Sequence, residues 1–137
     1  MSRGYAAHAN KVLEDEQLVI YEYAGFNWND PLYYNDEHIL DGVITIQKSC
    51  FREPDIHEKL KRMPSGRKRL VTKRIPVYVE YDKYLREGLI TIENCSNCWK
   101  VTDDELHVDI MACKLLFKIF LEYQEDSKIP NSMSLAY

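Results

Sequence analysis

The feature that most constrains this sequence is its C-terminal segment, Asp103 to about Gln124, where apolar residues cover more of a helical circumference than one stripe. Leu106, Ile110, Cys113, Leu116, Phe117, Phe120 and Leu121 spread round it, while Asp104, His107, Lys114, Lys118, Glu122 and Glu125 fall on one narrow line. Such a helix draws its stability from burial rather than from propensity, so the rest of the chain has to supply a face for it to lie on. Thr102-Asp103-Asp104-Glu105 has the form of a capping box, which sets the expected helix start at Asp103.

The remainder reads mainly as short strands. Gln17 to Phe26 is rich in β-branched and aromatic residues and ends in a turn over Asn27 to Pro31. Val43 to about Phe51 follows Asp41-Gly42, Arg69 to Tyr81 carries Pro76 as a bend or edge signal, and Leu89 to Asn94 follows Gly88. Between them, Pro54 and the acids-early, bases-late order of Asp55 to Arg62 predict a helix. Asp82 to Glu87 predicts a helical turn capped by Asp82 and stopped by Gly88. The connections are too short for parallel crossovers, which need about a dozen residues or more. The expected class is therefore α+β, with a mainly antiparallel sheet of about four strands packed on a long C-terminal helix. Residues through Asn10 read as a loose arm and those from Ser127 as an irregular tail.

Two stretches resemble each other. Asp36 to Gln47 (DEHILDGVITIQ) and Asp82 to Glu93 (DKYLREGLITIE) share an aspartate, a helical run, an acid, a glycine and Ile-Thr-Ile. This predicts an internal duplication of a strand-turn-strand-helix unit whose two strand ends lie close together.

The 137 residues fit one domain over 1–137, and a hydrophobic share of 45% suffices for one core. No apolar run approaches the roughly 20 residues needed to span a bilayer, so no membrane association is expected, and the N-terminus carries no secretory block. The expected compartment is the cytoplasm, with the four cysteines reduced or metal-bound rather than disulfide-bonded.

Three constellations are candidates for function. Cys95-Ser96-Asn97-Cys98 has a zinc-ligand spacing, and the duplication would bring Cys50 to the same edge, with His107 (or His57) as fourth ligand. Against this stands the tendency of free cysteine to be buried core. The net charge of −4 hides a basic stretch from Lys59 to Arg74 without a single acid. Its residues Lys61, Arg62, Arg67, Lys68 and Arg69 surround Pro64-Ser65-Gly66 and suit phosphate, nucleic acid or an acidic protein surface, or simply a solvated face. Finally, alternation places Tyr21 and Tyr23 on one face, near Trp28, as an aromatic partner surface or as packing under a loop or helix. No nucleophile elbow, phosphate loop or metalloprotease helix occurs. The sequence thus points to a non-enzymatic protein-interaction module, with nucleic-acid or phosphate binding and a small zinc domain as the alternatives.

Overall fold

The computed structural model describes residues 4–35, 37 and 39–136. Its elements run β1 (Tyr5–Glu14), β2 (Leu18–Asn27), β3 (Gly42–Gln47), β4 (Asp55–Arg62), β5 (Lys68–Ile75), α1 (Tyr81–Arg86), β6 (Ile90–Glu93), α2 (Ile110–Asp126) and β7 (Ser132–Ala136). The class is α+β with antiparallel sheets and a C-terminal helix, but the described residues hold seven strands rather than about four. Five form one sheet in the order β6-β3-β2-β1-β7, and β4 and β5 form a hairpin of their own.

Period-two alternation builds the main sheet. In β2, Val19, Tyr21 and Tyr23 turn inward at 0% exposure while Leu18, Ile20 and Glu22 point to the other face. Ile44 and Ile46 of β3, Ile90 of β6, Ala7 and Ala9 of β1 and Met133 and Leu135 of β7 complete the inner face, against Leu115, Leu116, Ile119 and Phe120 of α2. Gly42 is required at the start of β3 because the Tyr23 ring lies where a Cβ would stand. Among the described residues no helix is long and apolar enough to cross a membrane.

Several expectations need correction. The segment through Asn10, expected to be loose, pairs from Tyr5 onward with β2 on one side and β7 on the other. Its alanines have low strand propensity, and pairing along both edges overrides that. The expected irregular tail supplies β7, whose Met133 and Leu135 alternate with exposed Ser132, Ser134 and Ala136. Residues Met1 to Arg3 of the arm and Tyr137 of the tail lie outside the described residues.

The helix also starts later than the capping box predicts. Thr102 Oγ1 bonds the Asp104 carboxylate at 2.8 Å, and residues 101–109 form a loop closed by the bridge Val101↔Asp109. Asp109 is the actual N-cap, accepting from Met111 N at 2.9 Å. Asp55–Arg62 is β4, not a helix: Ile56 and Leu60 satisfy either period, and pairing with β5 through the turn decides between them. The span of the other helical expectation stands to within a residue, α1 ending at Arg86 shortly before Gly88 at φ +77, but its N-cap position is Glu80 rather than Asp82, and no side chain caps it.

The two Ile-Thr-Ile triplets are direct antiparallel neighbours, paired Ile44↔Ile92, Thr45↔Thr91 and Ile46↔Ile90. Their surroundings differ, however. β3 leads to the exposed hairpin, whereas β6 leads to the 101–109 loop and α2. A duplicated unit is not shown, and Asp36 and His38 of its first copy lie outside the described residues.

Candidate functional site

The hairpin β4–β5 is the part of the chain whose chemistry faces water. Every residue of both strands is exposed, and the pairing runs in register from Asp55↔Ile75 to Arg62↔Lys68. Pro64 and Ser65 form the turn, closed by Gly66 N–H donating to Met63 O at 2.9 Å, with Gly66 at φ +86 where a side chain would be strained. Directly opposed residues share a face of an antiparallel pair. One face therefore carries Ile56 beside Arg74, then Glu58 opposite Thr72, then the facing pair Leu60 and Leu70, ending in Arg62 and Lys68. The other carries Lys59, Lys61, Arg69 and Lys73 round Val71.

This arrangement brings together the cations singled out in the sequence. Lys61 stands opposite Arg69, Arg62 opposite Lys68, and Arg67 sits in the turn. Like charges opposed across strands repel, so the tip is eased by any anion that settles on it. Among the described residues none of the hairpin's lysines or arginines is ion-paired; the ion pairs lie at Glu14 and Arg86.

The root of the hairpin is fixed by the last turns of α2. Gln124, 2% exposed, accepts from Val77 N at 2.7 Å and donates from Nε2 to Val77 O at 2.8 Å, imitating a neighbouring strand for the outgoing segment. Tyr123 OH donates to Glu53 Oε1 at 2.7 Å on the incoming segment, and Arg74 Nη2 donates to Ser127 Oγ at 2.5 Å. Phe51 packs beneath, 5.1 Å from the Phe120 ring and 5.0 Å from that of Tyr123. Both strands of the hairpin are thus tied to one helix end.

The aromatic surface is corrected in part. Tyr21 and Tyr23 lie in the core, because the face opposite Leu18 and Ile20 is the one that α2 covers. Tyr21 OH donates to Pro130 O at 2.6 Å; Tyr23 OH donates to Asp109 Oδ2 at 3.0 Å and accepts from Cys95 N at 3.1 Å. Trp28 is 50% exposed and stacks on Phe26 with centroids 6.0 Å apart.

The zinc arrangement expected of Cys50, Cys95, Cys98 and His107 does not form, for a topological reason. Because β3 and β6 are antiparallel, Cys50 follows β3 at the Leu89 end of β6, whereas Cys95 and Cys98 follow β6 at its other end. His107 lies exposed in the loop at φ +47. Among the described residues no group of three or more His, Cys, Asp or Glu side chains is placed to hold a metal ion. Cys95 Sγ instead donates to Asp109 Oδ2 at 3.4 Å. Burial pushes the Cys95 and Cys113 thiols up to about 12 and those of Cys50 and Cys98 up to about 11, so all four are protonated and unreactive at neutral pH.

Sequence reasoning missed the residues that present the hairpin. Gln124 sits among the apolar residues of α2 and has no local partner, so only the fold reveals its bond to Val77. The shared face of Ile56, Leu60 and Leu70 was hidden by reading β4 as a helix. Comparison of the chain with protein-family models, with curated proteins and with solved structures gives no match.

Proposed function

We propose that this protein is a protein-interaction module that docks through its hairpin arm onto an acidic, partly apolar surface. The single observation that carries this reading is the exposure of Ile56, Leu60 and Leu70 at 59%, 62% and 55% on a ribbon whose tip is all cation. Isolated two-stranded hairpins are marginal in water, and exposed aliphatics on one face mark a surface awaiting a cover. Removing them from water supplies affinity, while the lysines and arginines steer the encounter and fix its register.

A second reading follows from the tip alone. Lys61, Arg62, Arg67, Lys68 and Arg69 form a basic two-stranded ribbon, a shape that the major groove of DNA admits. The three aliphatics contribute little to phosphate binding, and this places the protein partner first.

Photo-crosslinking residues placed at Leu60 and Leu70 in the producing cell test both. A protein adduct that disappears with Arg62→Glu and Lys68→Glu supports docking. An adduct with nucleic acid, accompanied by affinity for duplex DNA that falls steeply with salt, overturns it in favour of the second reading. No adduct at either position overturns both.

A further inference from the structure

Resting on the docking reading above, we infer that the partner surface of the arm is a second copy of this chain, engaged head to tail at the groove between α1, α2 and the 101–109 loop. The groove encloses about 540 Å³, within the range of clefts that bury a ligand. Leu85, Leu106, Val108, Ile110, Phe117 and Leu121 line it, and Phe117 is 49% exposed, next to exposed Lys118 on the solvent side of α2. Its apolar floor is the counterpart of Ile56, Leu60 and Leu70.

Charge selects the occupant. Residues 55–75 carry eight lysines and arginines against Asp55 and Glu58, while the rest of the chain carries ten against twenty acids. One edge of the groove holds this excess. Asp82, Asp104 and Glu105 all converge on the single guanidinium of Arg86, leaving two negative charges unbalanced, with Asp103 alongside. Lys114 and Lys118 line the other side, so the cationic tip, Arg62 and Lys68, is directed to the α1 and loop edge. A chain whose arm is the opposite in sign to its body attracts copies of itself at long range.

Arm and groove are different surfaces of one molecule, so the contact is heterologous. Each copy uses its arm on one neighbour and its groove on the other, which yields a ring if the rotation closes and a filament if it does not. Ile56, Leu60 and Leu70, otherwise a hazard to solubility, are then covered along the series.

Mixing two broken variants tests this. Leu60→Asp with Leu70→Asp spoils the arm and leaves the groove; Phe117→Asp spoils the groove and leaves the arm. All three positions are exposed, and circular dichroism with thermal unfolding checks that each variant stays folded. In native mass spectrometry and light scattering the wild type is expected as assemblies of three or more chains that dissociate as salt is raised, and each variant as a monomer. Their equimolar mixture should give a dimer of one copy of each and nothing larger. A wild type that remains monomeric at its highest soluble concentration overturns the inference, as does a mixture that fails to pair while the wild type assembles, since the latter marks a symmetric arm-to-arm contact. If the wild type stays monomeric and crosslinkers at Leu60 capture a different protein, docking by the arm stands without self-assembly; if they capture none, both readings fall.

Discussion

The body and the arm are both antiparallel β structure, yet different forces hold them. In the body each strand buries alternate side chains under α2, and even its polar groups are absorbed: Asp109, 1% exposed, caps the helix and takes the Tyr23 hydroxyl and the Cys95 thiol. In the arm the same ladder of backbone bonds runs from Asp55↔Ile75 to Arg62↔Lys68 with every residue left exposed. Backbone pairing contributes little net stability by itself, because water competes for the same groups. The arm therefore persists through its turn and its clamped root, and its side-chain chemistry is left over for something outside the fold.

The sharpest way to separate the two regions is alkali. The buried thiols of Cys50, Cys95 and Cys113 keep their protons in the folded state well above the ordinary value of 9.0. Their stabilisation is complete below pH 9 and is lost as pH climbs toward 11 to 12, because the unfolded chain ionises first. At one unit above 9 the loss is about 1.4 kcal/mol for each thiol, roughly 4 kcal/mol in all, measured by urea unfolding at a series of pH values. A stability profile flat to pH 10.5 would contradict the buried placement.

Leu116→Ala opens a cavity at the fully buried centre and should lower the unfolding free energy by about 3 kcal/mol. Asp109→Ala removes the cap and strands the Tyr23 hydroxyl, with an expected loss of about 2 to 3 kcal/mol and a shift in tyrosine absorbance. Gln124→Ala leaves both backbone groups of Val77 unpaired and should lower stability by about 1 to 2 kcal/mol. It would also raise hydrogen exchange at Val77 while the β2 and β3 amides keep their protection. The smallest effect belongs to the arm: Leu60→Ala and Leu70→Ala should each stay within about 0.5 kcal/mol for the monomer. A loss comparable to that of Leu116→Ala would show that the arm is packed on the body.

What could be read in advance followed from local chemistry. Alternation in Leu18 to Phe26, the turn at Pro64-Ser65-Gly66, the stop at Gly88 and the apolar girth of α2 are written within a few neighbouring residues. The five cations at the hairpin tip were legible for the same reason. What escaped depended on distant partners. Tyr5 to Glu14 is a strand because β2 and β7 flank it, and Thr102 turns to Asp104 because Arg86 holds that loop from another element. The cysteines failed most instructively. Their proposed meeting assumed that similar strands end at similar places, and antiparallel pairing sends those ends apart.

The clamp at Val77 makes α2 a handle for the whole ribbon. Eight residues of strand extend about 27 Å at ~3.4 Å each. A rotation of about 10° in the last helical turn, carried rigidly through Gln124, Tyr123 and Ser127, would sweep the cationic tip by about 5 Å, roughly one strand spacing. Small tilts at the last turn of α2 would thus be magnified at the far extremity of the ribbon.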